Sequence, residues 1–375
     1  MNLMSEQIPY DRTQPYNQLP LLPPPDELIL TVEILQALNK ANKALAELKG
    51  LARKLPNQSM LVNTIALREA KASTEIENIF TTDDELYKAL SGNDTGLTAN
   101  AKEVLRYRQA LWEGYHSLKA DGLLTKELMV KIYQQIKEVS DGIRPAHTET
   151  VIKRRGSGSL GGSVVYTPPR GDVIIEEKLD NVIEYLNDDV RFPYDPLIKI
   201  AVTHYQFEAI HPFRDGNGRA GRILNILLMI QKNLLDVPVL YLSAYIIENK
   251  DDYYALLNGV TALKRWRDWL LYMFRAVEET SLFTINRIND IDGLFQRTYS
   301  LVSHRLPHIR KEVIEKIFEQ PYISPGSLLS GEIKSLNTAK KYLSQLEGLG
   351  ILTPKKVGKE IIYINIDLFN LLSET

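Results

Sequence analysis

Residues 211–222 read His-Pro-Phe-Arg-Asp-Gly-Asn-Gly-Arg-Ala-Gly-Arg, and the rest of the chain is read around them. An imidazole, a carboxylate, an asparagine between two glycines and two arginines three apart fall within one short stretch. Upstream, Asp195-Pro196 marks a helix start, because proline at the first helical position lacks only an N–H that has no partner there. The apolar run over 197–210 predicts a buried helix leading to His211. Downstream, Ile223, Leu224, Ile226, Leu227 and Ile230 predict a second buried helix over 219–235. Between the two, Gly216, Asn217 and Gly218 predict a tight turn, since Gly and Asn adopt positive φ cheaply.

A turn entering a helix N-terminus aims several backbone N–H groups at one point, and the helix dipole favours an anion there. Arg219 and Arg222, at i,i+3, share a face and reach the same anion. Asp215 beside them is a hard oxygen ligand, suited to Mg²⁺ bridging phosphates and not to zinc. His211 is the one group in the stretch that takes a proton near neutral pH. Together they describe a polyphosphate site with a general base. Each residue alone has an ordinary explanation: a core histidine, a capping aspartate, solvated arginines. Eight specified positions (His211, Phe213, Asp215, Gly216, Asn217, Gly218, Arg219, Arg222) coincide by chance about once in 10^10 windows at uniform residue frequencies, which decides for a site.

At those eight positions the stretch resembles the signature of the Fic family, His-x-Phe-x-Asp/Glu-Gly-Asn-Gly-Arg-x-x-Arg, with no departure. The resemblance implies an α-helical core that transfers a nucleotide part, usually AMP from ATP, onto a protein hydroxyl. It implies that His211 deprotonates the target hydroxyl and that Asp215 holds Mg²⁺ against the α- and β-phosphates. Asn217 and the amides near Gly216 and Gly218 would cradle phosphate oxygens, Arg219 and Arg222 would bind the β- and γ-phosphates, and Phe213 would anchor the loop in the core. Residues 161–173 resemble the family's flap, a β-hairpin whose strand would be Val164, Val165 and Tyr166, ended by Pro168 and Pro169. Such a flap holds a target segment by strand addition, through backbone bonds that tolerate varied sequences. The segment 240–243 and the pair Tyr253 and Tyr254 resemble the family's wall around the adenine.

A third resemblance lies in Ser73-Thr74-Glu75-Ile76-Glu77-Asn78, which matches the family's inhibitory motif, Ser/Thr-x-x-x-Glu-Gly/Asn. It implies that Ser73, Glu77 and Asn78 belong to an inhibitory helix, with Glu77 pairing Arg222 and taking the guanidinium that should hold the γ-phosphate. Thr74 and Glu77 also fit a capping box. The helix-forming run over 66–72 instead puts Thr74 in mid-helix, and Thr82 with Glu85 is the better capping box, opening the next helix. The run Gly156-Ser157-Gly158-Ser159-Leu160-Gly161 fits Gly-x-Gly-x-x-Gly, but it leads into Val164, Val165, Tyr166 and a double proline, not into the helix a dinucleotide site requires. It is read as a mobile stretch entering the flap.

Composition bounds the remainder. With 375 residues, two or three domains are expected. Lys and Arg number 45 against 47 Asp and Glu, so the whole chain is not a polycation for nucleic acid or membrane. The absence of cysteine excludes disulfides, thiolate metal sites and cysteine catalysis, and fits a reducing cytoplasm. No secretory signal pattern and no bilayer-length apolar run is visible, so no membrane partner is expected. His116, His147, His204, His304 and His308 show no ligand spacing and read as ordinary. Pro15, Pro20, Pro23, Pro24 and Pro25 predict an extended N-terminal arm that wraps a surface.

Helical patterns then run from Glu27 to about Ser91 and resume over 98–140, and Trp266 and Trp269 close the last helix of the core. From about Leu301 the pattern changes to a helix over 311–318, a short helix after Pro321, a helix over 337–347 and a two-stranded wing around Lys355 and Lys356. This resembles a winged helix-turn-helix module. Between Arg305 and Glu360, ten Lys and Arg face six Asp and Glu, a modest excess that makes DNA one candidate partner and protein the other.

The expectation is a mainly α chain: an all-helical Fic core with a β-hairpin flap over 98–285, an N-terminal arm and inhibitory helix over 1–97, and a C-terminal winged helix-turn-helix module over 286–375. Its expected partners are ATP with Mg²⁺ and a Ser, Thr or Tyr hydroxyl of a target protein or of the chain itself, with a homodimer also open. The competing reading is a DNA-binding regulator whose core only senses a nucleotide; a sensor would not need His211. A third is transfer of another phosphate-containing group, because the phosphate nest does not read the base.

Overall fold

The computed structural model describes residues 10–54, 58–90, 97–154, 163–330, 333–357 and 360–373. Among these, fifteen α-helices account for most of the chain, and strands occur only as a two-stranded and a three-stranded antiparallel sheet. The fold is mainly α. Two compact units are distinguishable: one holds residues 1–42, 109–234 and 248–277, the other 43–108, 235–247 and 278–375. Among the described residues no helix is long and apolar enough to cross a membrane.

The first unit is organised around the helices Pro196–Ile210 and Asn217–Gln231. Pro196 fills the first helical position, and the Asp195 carboxylate accepts from Leu197 N–H at 2.8 Å. From Leu197 to Ile210 every residue except Glu208 is buried, the polar Lys199, Thr203, His204 and Gln206 included. The second helix starts at Asn217, two residues before the predicted start. Of the three predicted turn residues only Gly216 has positive φ (76°), and Asn217 and Gly218 are already helical. Gly221 lets the two helices close: a Cβ there would stand 2.6 Å from Glu208 Oε1 and 3.2 Å from the Phe207 ring. Helices Lys126–Lys137 and Asp172–Asn187 complete the packing around the pair. Thr125 caps the former, its hydroxyl accepting from Leu128 N–H at 3.2 Å.

The proline-rich arm packs on this unit, through turns at 11–19 rather than as the extended segment expected. Leu19 and Leu22 are buried, Lys178 Nζ donates to Leu19 O at 2.6 Å, and Asn181 makes reciprocal bonds to both backbone groups of Leu22 at 2.7 and 3.1 Å. The hairpin pairs Ile152–Arg154 with Ser163–Tyr166, placing Lys153 opposite Val164. The glycine run 156–161 and Gly162 lie outside the described residues.

In the second unit, helix Gln58–Ile76 carries Thr74 in its last turns, where the hydroxyl donates back to Ala70 O at 3.0 Å and Lys71 O at 2.8 Å. Thr74 is therefore not a cap. Thr82 is: its hydroxyl accepts from Glu85 N–H at 3.2 Å, opening helix Asp83–Leu90. The C-terminal elements follow the predicted order, with Lys311–Glu319, a short 3₁₀ turn Pro325–Leu328, Leu336–Gly348, and strands Thr353–Val357 and Glu360–Ile364. Two features went unpredicted: Tyr322–Ile323 adds a third strand to the hairpin, and helix Ile366–Ser373 closes the described chain. Trp266 does not close a helix but begins one that runs to Arg305, and no proline interrupts the chain before Pro307.

Candidate active site

Helix Pro196–Ile210 ends where His211 adopts a left-handed backbone, φ 51°, with its N–H donating to Phe207 O at 2.9 Å. That conformation is uncommon for a residue with a side chain. It turns the chain so that half-buried His211 precedes buried Phe213, whose ring stacks on Tyr133 with centroids 4.3 Å apart. Asn217 closes the loop: its Oδ1 accepts from Phe213 N–H and its Nδ2 donates to Phe213 O, both at 2.8 Å. At Gly216 the positive φ excludes most side chains, and a Cβ would also sit 3.3 Å from Lys137 Cγ and Cδ. Beyond it, the first-turn N–H groups of helix Asn217–Gln231 have no acceptor within their own helix.

Asp215 stands at the mouth of this nest with 67% of its side chain exposed. Burial of its inner part pushes the carboxyl upward. The Lys137 ammonium at 2.5 Å, the Gly216 N–H at 2.7 Å and the more distant Arg219 outweigh it and hold the group below the ordinary carboxylate range. Arg219 and Arg222 are only 3% and 1% exposed. Arginines are almost never that buried without partners, so both are fixed parts of the interior rather than solvated surface charges.

Beneath the loop lies a layer the sequence placed only in part. His204 is buried, its Nε2 2.8 Å from the Tyr253 hydroxyl and its ring stacked on Trp269. Burial first and the Arg222 charge second push its pKa down to about 3, so it is a neutral imidazole and not a second base. The reading of His204 as an ordinary histidine agrees with this. The structure separates the tyrosine pair: Tyr253 is 1% exposed and belongs to the core, whereas Tyr254 is 44% exposed. On the hairpin, Val164 and Val165 are half-buried, and Tyr166 is buried with its hydroxyl donating to Ala209 O at 2.8 Å.

Sequence reasoning missed Lys137 and Arg144. Neither has a local signal: they lie 78 and 67 residues from the groups they bond, Asp215 and His211. Ser73, Glu77 and Asn78 fall in the other compact unit. Ser73 is fully buried, and Glu77 and Asn78 are exposed. Asn78 has φ 62°, with Ile79 N–H bonding Thr74 O and Asn78 N–H bonding Glu75 O. This is a Schellman ending, whose left-handed position accepts Gly or Asn most cheaply. The asparagine that ends the segment 73–78 thus has a backbone reason.

Three family models match in succession. The N-terminal model of the Fic/DOC family covers residues 35–116, the Fic/DOC family model covers 123–229, and the C-terminal domain of SoFic-like protein adenylyltransferases covers 294–368. The chain belongs to the Fic/DOC family. Among curated relatives, protein adenylyltransferase fic-1 of Caenorhabditis elegans is 32% identical over 113 residues, 30% of this chain and 21% of the relative. A probable protein adenylyltransferase of Aquifex aeolicus is 27% identical over 208 residues, 53% of this chain and 58% of the relative. This Fic chain therefore spans about a fifth of the worm relative and little over half of the bacterial one. Among solved structures, a Fic family protein from Desulfovibrio desulfuricans superposes with a TM-score of 0.56 at 17% identity, covering 90% of this chain and 96% of that one. Fic-1 from C. elegans superposes with a TM-score of 0.53 at 20% identity, covering 68% and 74%. At these identities the likeness is one of Fic fold.

Proposed function

We propose that the chain is a protein adenylyltransferase that moves AMP from ATP to a Ser, Thr or Tyr hydroxyl, on another protein or on itself, and that Glu77 restrains it. The observation that carries the reading is the single loop 211–219. It sets a half-buried imidazole, an ionised exposed carboxylate and a glycine-opened helix N-terminus backed by a buried arginine within one turn of chain. The relatives named protein adenylyltransferase agree with it.

In the proposed reaction His211 accepts the proton of the target hydroxyl, whose oxygen attacks the α-phosphorus of ATP. The bond from that phosphorus to the β-phosphate oxygen breaks, pyrophosphate leaves, and His211 releases its proton to solvent. Arg219, Arg222 and the first-turn amides hold the phosphates in line, which is most of what such a transfer asks of a protein. Asp215 fits a Mg²⁺ ion, being ionised and exposed, with a flexible lysine and not a buried partner on Oδ2. Among the described residues no cluster of three or more His, Asp or Glu forms a metal cage, so Asp215 would share the ion with phosphate oxygens. When bound, Mg²⁺ neutralises phosphate charge.

The autoinhibitory part of the reading rests on the end of helix Gln58–Ile76. Glu77 puts a carboxylate just past a helix C-terminus, where the dipole disfavours one. In the proposed restraint that carboxylate takes the Arg222 guanidinium as a bidentate partner. We read residues 311–364 as a winged helix-turn-helix module. The wing residue Lys355 donates to Asp84 at 2.8 Å within its own unit, which favours an internal or protein contact over DNA. The test is incubation of the purified chain with α-labelled ATP and Mg²⁺, following label on the chain and on lysate proteins. Wild type and Glu77→Gly should label, and His211→Ala should lose roughly 10²–10⁴ of the rate while still binding ATP. Equal labelling by His211→Ala would overturn the mechanism.

A further inference from the structure

We propose that Arg144 is a positioning residue that holds the His211 peptide in its working conformation and ties it to the base of the hairpin. This deepens the transferase reading and rests on it for the word "working". Arg144 lies on the segment after helix Lys126–Lys137, is 1% exposed, and makes backbone contacts of an unusual kind. Its Nη2 donates to Ile210 O at 3.2 Å, its Nε to His211 O at 2.8 Å, and its own N–H to Pro212 O at 2.8 Å. Nη2 also donates to Pro169 O, just beyond the hairpin strand. With Tyr166 Oη on Ala209 O at 2.8 Å, four successive carbonyls, 209 to 212, receive donors from outside their helix.

The physical need is specific. The last carbonyls of a helix have no intrahelical donor, and the usual remedy is a glycine in the left-handed position just beyond. In this chain that position holds His211, φ 51°. A side chain in that region is held only when its surroundings over-determine it. The guanidinium supplies that determination: its charge suits the negative end of the helix dipole, and its rigid fork addresses two adjacent carbonyls at once. Burial pushes the Arg144 pKa down but leaves a cation. Because the same fork reaches Pro169, the hairpin base and the histidine loop are set relative to one another by one side chain. Lysine keeps the charge and loses the fork, so it should not restore the geometry.

Full-length Arg144→Lys and Arg144→Gln test this. The His211 imidazole is followed by NMR in histidine-labelled protein, assigned by its loss in His211→Ala, beside kcat, KM and ATP binding. The expected result is wild-type circular dichroism, a displaced His211 resonance, ATP affinity within about 2-fold, and kcat lower by about 100-fold, the scale at which a misplacement of an ångström acts. An unmoved His211 resonance with unchanged kcat overturns the proposal. So does global unfolding of both variants, which would make Arg144 a general strut. If wild type binds ATP yet labels nothing, while Arg144→Lys still displaces the His211 resonance, the transferase reading falls and the positioning role stands.

Discussion

Replacing Asn217 with alanine removes two side-chain bonds of 2.8 Å to Phe213, at a place where both residues are 1% exposed. The Phe213 N–H and C=O then lose these partners out of reach of bulk water. Each such loss costs about 1–3 kcal/mol, and alanine returns a few tenths through its better helix propensity. A net destabilisation of about 2–5 kcal/mol follows, which for a unit of this size lowers the thermal midpoint by roughly 4–20 °C. Asn217→Asp keeps an acceptor for the Phe213 N–H and loses the donor to the carbonyl, so it should show about half the drop. The assay is thermal unfolding by circular dichroism, paired with ATP binding. If the asparagine acted only as a phosphate ligand, the Ala variant would lose ATP affinity and keep its midpoint. A midpoint within about 2 °C of wild type would refute loop closure as its first role.

Asp215→Ala should abolish Mg²⁺-dependent nucleotide binding. Because its carboxyl titrates below the ordinary range, the wild-type Mg²⁺ dependence should persist down to pH 5; identical Mg²⁺ titrations of the two proteins would move the ion elsewhere. Glu77→Gly should raise labelling, whereas Glu77→Gly with Arg222→Ala should show little of the gain, because the released guanidinium is then absent; a gain of equal size in the double variant counts against the pairing. His204 titrates near 3 in the folded chain and near 6.5 unfolded, so the unfolded state binds the extra proton between those values. Stability should therefore be fully present above about pH 6.5 and fall as pH drops towards 3, and His204→Gln should flatten that slope in urea titrations; an unchanged slope would locate the acid sensitivity elsewhere.

What could be read from the residues was whatever the local chain encodes. Asp195-Pro196 announced a helix that begins there, the largely apolar run over 197–210 announced its burial, and the glycine at 216 announced a left-handed turn. The arm's prolines did not reveal the turns at 11–19 that fold it. The turn was misjudged in length because Asn217 achieves closure by side-chain bonds to Phe213, which composition cannot distinguish from a positive φ. The tyrosine pair was ambiguous for a similar reason: Tyr253 and Tyr254 are adjacent in sequence, and only the packing of His204 and Trp269 decides which is interior. Lys137 and Arg144 were out of reach, since each acts on the motif across more than sixty residues of chain. The added strand Tyr322–Ile323 is two residues long, too short to leave any alternation to detect.

The arm over residues 10–25 has a consequence for anyone cutting the chain at the edges of its family matches, the first of which begins at residue 35. Tyr10 and Tyr16 pack against the Tyr166 ring, Tyr16 N–H bonds Thr167 O, and Thr167 Oγ1 bonds Arg12 O. A fragment starting at residue 35 would uncover the aromatic face of Tyr166, strip Lys178 of its Leu19 carbonyl and leave Asn181 without Leu22. The recognisable portion of the sequence is therefore shorter than the portion that folds, and a purified fragment trimmed to the recognisable part should be prone to aggregation and show a slackened hairpin.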